Sequence, residues 1–334
     1  MKQLQKKEKY NVAIVGATGV VGRTFIKVLE EYNFPVDEVR LLASSRSKGK
    51  IMHCFNRDIE VRELAEKEFE GIDISLFSAG GDVSKEWCPI ASKYSLVIDN
   101  SSAFRMDPNC PLVVPEVNPK DIRGYGIIAN PNCTTIQSII PVKALDDKFK
   151  VIRVNYTSYQ AVSGAGMKGI SDLINTRSGK EKEFFPYNIS KTAIPHIDSF
   201  LDNGYTKEEM KMVNETRKIL HRDDILVSAT CVRIPVENSH AVSICLELEK
   251  PFTLDEVREV LSNYPGIVLK DDPKNLIYPV TDFSNGNDRV YVGRIRKDLS
   301  KDNGLLIYCV ADNIRKGAAS NAVQIAKYLI EEIL

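Results

Sequence analysis

The chain has 334 residues, more than one hydrophobic core holds comfortably, which points to two domains, with a single α/β barrel as the alternative. Its 45 Lys plus Arg balance 45 Asp plus Glu, and a net charge of zero excludes a general binder of nucleic acid or of a membrane surface, because phosphate affinity needs clustered excess cations. With 43% apolar and 27% charged residues, the composition is that of an ordinary soluble globule and not of a disordered chain.

Residues 10–15, YNVAIV, form a short β-branched apolar run of the kind a buried parallel strand requires. They lead directly into GATGVVG and then RTFIKVLEEY, where Phe25, Ile26 and Leu29 recur at helical spacing. Further strands are expected at VRLLAS (39–44), ISLFSAG (74–80), SLVIDNS (95–101), PLVVP (111–115) and GIIAN (126–130). Strands alternating with helices predict a doubly wound, Rossmann-type parallel sheet over residues 1–131.

Beyond Asn130 the pattern changes. VIRVNYTSYQAV (151–162), ILVSATCVRIPV (225–236) and AVSICLEL (241–248) are longer alternating strands suited to a largely antiparallel sheet, with helices at about 133–148, 207–220 and 254–263. This predicts a second, α+β domain over 132–315, serving catalysis and dimerisation, after which a final helix within 316–334 returns to the first domain. GGDVSKEW and the stretch from Gly164 to His196 read as long loops carrying function or an interface.

No apolar run approaches the ~20 residues of a membrane span, and MKQLQKKEKY offers no segment for a signal peptide, so a cytoplasmic protein without membrane contact is expected. The seven cysteines are scattered, with no CxxC pair and no zinc-finger spacing, so disulfides and a metal site are not expected.

Gly16, Gly19 and Gly22 lie between a buried strand and a helix, where main-chain N–H groups can approach a pyrophosphate, so the whole turn Gly16-Ala17-Thr18-Gly19-Val20-Val21-Gly22 is a dinucleotide candidate. At the end of the second strand, Ser44-Ser45-Arg46-Ser47 offers a guanidinium and hydroxyls where an NAD enzyme places a carboxylate, which suits the 2′-phosphate of NADP(H).

One cysteine stands apart. In IIANPNCTTIQ, Cys133 follows a Pro-Asn turn and opens a helix, where the dipole and unpaired N–H groups favour a thiolate, with Asn132 as N-cap. Of the four histidines, His53 and His221 read as surface residues. His240, between two strong strands and seven residues after Arg233, is the leading acid/base partner, with His196 in reserve. A thiolate, an imidazole and a nicotinamide together define aldehyde oxidation through a thioester, released to water or to phosphate.

GATGVVG, LLASSRSKGK, DNSSAFR, VPEVN, NPNCTTIQ, SYQAVSGAG, GYTKEEMKMVNETRKIL, RIPVENSH and GAASNAVQIA occur in the order found in aspartate-β-semialdehyde dehydrogenases, which the chain resembles over nearly its whole length. The resemblance implies NADPH-dependent reductive dephosphorylation of β-aspartyl phosphate to aspartate semialdehyde, toward lysine, methionine and threonine. It implies Cys133 as nucleophile, His240 as acid/base catalyst and Gln160 as the residue orienting them. Arg233 would grip the substrate α-carboxylate and Glu208 its ammonium, while Lys211, Arg105 and Asn132 would form a site for inorganic phosphate. Ser78, Ala79, Gly80 and Gly81 would wall the pyrophosphate, Ser163 and Gly164 would lie beneath the nicotinamide, and Asn321 would meet its carboxamide. A homodimer is implied, with a homotetramer as the alternative.

Two features depart from the family pattern. Ala241-Val242 follows His240 where polar residues are usual, and the first nine residues form an extension, expected to be a disordered basic tail. Glyceraldehyde-3-phosphate dehydrogenase, N-acetyl-γ-glutamyl-phosphate reductase and a non-catalytic NADP-binding regulator are the competing readings.

Overall fold

Strand β1 (Tyr10–Val15) is buried almost throughout, which is why YNVAIV lacks the polar alternation of a half-exposed strand. After it come helix α1 (Val20–Glu31), β2 (Val36–Ala43), the hairpin β3 (Ile51–Cys54) and β4 (Arg57–Glu60), and the short β5 (Arg62–Glu63). Next are β6 (Ile74–Phe77), α2 (Gly81–Ala91), β7 (Leu96–Asp99) and β8 (Ile127–Ala129). Six of these strands form one sheet, ordered β5-β2-β1-β6-β7-β8, and every neighbouring pair is parallel. The chain leaves β1 toward β2 and returns to its other side at β6, so the order reverses there, and ligands of such sheets bind in the crevice at that reversal.

The computed structural model describes residues 3–334. Its contacts divide the chain into two units, one running to Pro131 and including Ala318–Leu334, the other Asn132–Gly317. The second unit contains α3 (Cys133–Phe149), β9 (Val151–Gln160), α4 (Gly166–Arg177), α5 (Lys207–Leu220), β10 (Leu226–Arg233), β11 (His240–Leu248), α6 (Leu254–Asn263) and β12 (Ile267–Leu269). The short α7 (Thr281–Ser284), β13 (Val290–Lys297) and β14 (Gly304–Ala311) complete it. Its six-stranded sheet, β10-β9-β11-β14-β13-β12, is antiparallel at three of five junctions, and β9–β10 and β12–β13 are parallel. The first unit is completed by α8 (Ser320–Tyr328), whose Ala322, Val323, Ile325 and Ala326 join Phe25, Ile26 and Leu29 of α1 in one core.

The structure corrects several expectations. PLVVP is no strand: Leu112 makes only an isolated bridge to Ala129, because Pro111 and Pro115 supply no N–H to a ladder. GGDVSKEW is no loop but the start of α2, with Val83 and Trp87 one turn apart on the core. The stretch 164–196 contains α4, so only its second half is irregular. Nor do residues 3–9 form a free tail. Leu4 is buried, its N–H donates to the Gly124 carbonyl at 2.7 Å, and Lys7 Nζ meets Asp73 at 2.7 Å. Met1 and Lys2 lie outside the described residues. Among the described residues no helix is long and apolar enough to cross a membrane.

Candidate active site

In the first unit the turn after β1 is shaped by what cannot fit there. Gly16 has φ +85°, and a Cβ on it would lie 2.5 Å from the Ser78 carbonyl oxygen. One on Gly22 would lie 2.2 Å from the Gly16 carbonyl oxygen. Main chain therefore packs on main chain, bringing the start of α1 and the Ser78-Ala79-Gly80-Gly81 segment after β6 to the same switch point. Gly80, at φ +93°, has open space in front of it. This cradle fits a dinucleotide pyrophosphate, with Ala17, Thr18, Gly19, Val20 and Val21 forming its floor and the first turn of α1.

Ser44, Ser45 and Arg46 are exposed after β2, while Ser47 is buried with its hydroxyl 3.4 Å from that of Thr18. Glu63, in register with Ala43 at the end of β2, is held by Lys48 at 3.3 Å. Arg105 is buried, its Nε donating to the Asn130 carbonyl at 2.9 Å and its Nη2 to that of Asn100 at 2.8 Å. Asn321 is fully buried, its Nδ2 donating to the Val113 carbonyl and to Asn130 Oδ1.

In the second unit Cys133 is the first residue of α3. Asn132 caps that helix, its Oδ1 accepting the N–H groups of Thr134 at 2.9 Å and Thr135 at 3.3 Å. Five of the other six cysteines are buried; Cys133 and Cys245 are partly exposed. Cys133 is held close by Gly317, where a Cβ would come within 2.9 Å of the Cys133 Cβ.

Helix α5 lays Glu208, Lys211 and Glu215 along one face against this capping residue. Glu208 Oε1 accepts from Asn132 Nδ2 at 2.9 Å and from Gln160 Nε2 at 3.3 Å, and its Oε2 takes Lys211 Nζ at 3.0 Å. Burial pushes the Glu208 carboxyl up, but Lys211 and the Asn132 amide outweigh it and hold the group below its ordinary 4.5. Lys211 also meets Asp198 at 2.9 Å. Burial alone would lower its pKa, yet two flanking carboxylates raise it above 10.5. Thr206 and Glu209 form the capping box that starts α5.

His240 opens β11 and is fully buried. Its Nδ1 accepts the main-chain N–H of Ala161 at 3.0 Å, while its Nε2 has no partner among the described residues. Burial first, and then the charge of Arg233, lower its pKa from 6.5 to about 3, so the ring is neutral. Arg233 ends β10 and its Nη1 donates to the Ala161 carbonyl at 2.7 Å. A side chain at Gly164 would lie 3.0 Å from Arg233 Nη1 and 3.4 Å from His240 Nε2, so these two groups border one small space. Ser163 is tied to Asn238 and Asn313. His196, the reserve candidate, stacks on Phe200 at 4.5 Å; His53 is exposed and paired with Asp58, and His221 caps α5.

Several supporting residues lie within the quoted motifs but have no role assigned from sequence. Glu215 Oε2 accepts the Asn132 N–H at 2.7 Å, and Gln137, one turn after Cys133, donates to the His240 carbonyl at 3.2 Å. Ser239, at φ +71°, has its N–H held by Asn313 and its hydroxyl by Asn285. Ala241 and Val242 are core residues of β11, and the orientation of His240 comes instead from Ala161. The sequence signal of Gln137 and Glu215 is helical spacing: Gln137 lies four residues after Cys133, and Glu215 seven after Glu208.

Residues 11–125 match the model of the semialdehyde dehydrogenase NAD binding domain, and residues 142–316 that of the semialdehyde dehydrogenase dimerisation domain. The chain is 56% identical to aspartate-semialdehyde dehydrogenase of Aquifex aeolicus, over 97% of this chain and 98% of that protein. It is 46% identical to that of Bacillus subtilis, over 96% and 97%. Among solved structures, aspartate semialdehyde dehydrogenase II of Vibrio cholerae complexed with ASA superposes with a TM-score of 0.94 at 45% identity, covering 98% of this chain and all of that one. The Candida albicans aspartate semialdehyde dehydrogenase with NADP gives 0.74 at 25% identity, over 96% and 98%.

Proposed function

The chain belongs to the aspartate-semialdehyde dehydrogenase family, a family of phosphorylating, NADP-dependent oxidoreductases of amino-acid biosynthesis, and on that premise we propose how its own residues divide the reaction. Its substrates are small molecules and its dimerisation domain makes it a homo-oligomer. We read that oligomer as a homodimer working in the cytoplasm.

Cys133 is the nucleophile. In the reductive direction its thiolate attacks the acyl carbon of β-aspartyl phosphate, the bond to the phosphate oxygen breaks, and inorganic phosphate leaves with that electron pair. NADPH, when bound, supplies hydride chemistry at the resulting thioester. Fission of the carbon–sulfur bond then returns the thiolate and releases aspartate semialdehyde. The positive end of α3 favours the anionic sulfur throughout.

His240 handles the proton at the carbonyl oxygen. Because Nδ1 accepts from Ala161, the neutral ring carries its proton on Nε2, the nitrogen bordering the space beside Gly164. That N–H donates to the oxygen as negative charge grows on it, the task of an oxyanion-hole donor. Gln160 and Asn132 hold Glu208 in place.

Arg233, whose Nε has no partner among the described residues, grips the α-carboxylate with a planar fork that Lys cannot imitate. Glu208 takes the substrate ammonium; an N-acylated substrate carries a neutral amide there and offers this buried carboxylate no cation, which disfavours the N-acetylglutamate reading. Lys211, Asn132 and Arg105 serve the phosphate. In the first unit the Gly16–Gly22 turn and the Ser78–Gly81 segment hold the pyrophosphate, Ser44, Ser45, Arg46 and Ser47 the 2′-phosphate. Ser163, Gly164 and Asn321 serve the nicotinamide.

The observation that carries this reading is a partly exposed cysteine at a capped helix N-terminus, braced by two buried glutamates through Asn132. The test is the reverse reaction, NADP reduction by aspartate semialdehyde. Omitting inorganic phosphate, or substituting Cys133→Ser, is expected to lower turnover by about 10³-fold or more. A rate indifferent to both rejects the mechanism, and a preference for N-acetylglutamate semialdehyde rejects the substrate.

A further inference from the structure

The segment between α4 and α5 closes around Arg233. Ile194 and Arg233 exchange two main-chain hydrogen bonds, each 2.8 Å, and Phe185 from the same segment lies against the guanidinium, with Cζ of Arg233 5.9 Å from the ring centroid. Both side chains are buried. The ring is fixed from several sides. Asp172 of α4 accepts the main-chain N–H of Glu183 at 2.7 Å and that of Phe185 at 3.0 Å, drawing the segment onto the helix. At Gly169 a Cβ would be 3.3 Å from Phe185 Cζ, so the missing side chain makes room for the tip of the ring. Val162, Leu173, Ile189 and Ile194 complete the cluster around it.

A buried guanidinium needs an electron-rich neighbour. A carboxylate hydrogen-bonded to the fork would occupy the N–H groups that a ligand carboxylate requires. An aromatic face attracts the cation through its quadrupole and leaves the in-plane N–H groups unused. That is the state of Arg233: only Nη1 donates, to the Ala161 carbonyl, and Nε is buried without a partner among the described residues.

We infer that Phe185 is a positioning residue for substrate recognition, backing Arg233 so that its fork stays open for a carboxylate, and that Asp172 pins Phe185 there. The inference rests on the reading of Arg233 as the group that binds the substrate α-carboxylate.

The test replaces Phe185 in the full-length enzyme by 3-fluoro- and 3,5-difluorophenylalanine, which weaken the ring quadrupole at nearly constant shape, and separately by Leu. KM for aspartate semialdehyde should rise stepwise with fluorination, reaching about three- to tenfold in Phe185→Leu, with kcat and the melting temperature of the fluorinated proteins unchanged. Asp172→Asn should raise KM in the same direction. Arg233→Lys serves as the control. If it raises KM while the fluorinated series stays flat, the role of Phe185 is overturned. If it leaves KM unchanged, the reading of Arg233 fails instead. The fluorinated series keeps the question decidable should Phe185→Leu fold poorly.

Discussion

The main-chain N–H of Ala161 donates to Nδ1 of His240 at 3.0 Å, and both residues are buried. A ring nitrogen that accepts an N–H has no proton of its own, so the neutral imidazole must be the Nε2–H tautomer. Nitrogen-15 correlation spectra are expected to show His240 neutral with the proton on Nε2 at pH 7. A protonated ring, or the Nδ1–H tautomer, refutes the assignment.

The same burial links folding to pH. His240 titrates at about 3 in the folded chain and near 6.5 unfolded, so between these values the unfolded chain binds more protons. The stability of the neutral buried ring is complete above about pH 6.5 and is lost as pH falls toward 3, with a slope of up to about 1.4 kcal/mol per unit. Urea titrations from pH 7 to 4, comparing wild type with His240→Gln, isolate this contribution from that of the carboxylates. Equal slopes in the two proteins count against it.

Glu208→Gln tests the brace between α5 and the start of α3. The carboxylate accepts from Asn132, Gln160 and Lys211 at once, and an amide must turn its NH2 group toward at least one of these donors. Removing one partner of a buried ion pair costs roughly 3 kcal/mol. We expect that loss in denaturation experiments together with a rise in KM for the semialdehyde. The folded-state carboxyl is held below 4.5, so this contribution is present above that pH and is lost as pH falls below it. A variant with wild-type stability and KM removes Glu208 from the site.

How much of this was legible in the sequence depends on distance along the chain. The Gly16–Gly22 turn, the α3 cap and the α5 capping box are local, and a few consecutive residues decide each of them. Strands β13 and β14 show no clear alternation in sequence, for different reasons. β13 is interrupted by an irregularity between Gly293 and Arg296, which spoils its alternation, and β14 is central and apolar on both faces, so it shows none. The N-terminal residues look like a solvated tail in sequence because the partner of Lys7, Asp73, lies 66 residues away. Ala161 has no sequence signal at all, because its contribution to the site is a main-chain N–H, which every residue but proline carries.

Arg46→Ala tests cofactor choice. Arg46 is exposed beside Ser44 and Ser45, and Glu63, the acidic residue in register with the end of β2, is engaged by Lys48. A guanidinium bonded to a phosphate is worth about 1.5–3 kcal/mol, so KM for NADPH is expected to rise roughly 10- to 100-fold. KM for NADH, which lacks the 2′-phosphate, should stay where it is. Equal losses with both cofactors would place the 2′-phosphate elsewhere.

Gly317→Ala tests how finely the sulfur is placed. The new Cβ would stand 2.9 Å from the Cβ of Cys133, closer than side-chain carbons approach, so one of the two must move. Gly317 is tied through its N–H to the Asp312 carbonyl at 2.9 Å, and Asp312 in turn accepts from Ile314, Arg315, Asn238 and Gly286. That helical turn resists displacement from several directions, whereas Cys133 is partly exposed at a helix end. Cys133 is therefore the group that shifts. A displacement of about 1 Å costs on the order of 10²-fold in a reaction that depends on alignment, and we expect kcat to fall by that factor, with stability reduced by about 1–3 kcal/mol from overpacking. Binding of NADPH, measured by fluorescence titration, should be nearly unaffected, because the Gly16–Gly22 cradle belongs to the other unit. A folded Gly317→Ala enzyme with wild-type kcat would show that the sulfur needs no such support.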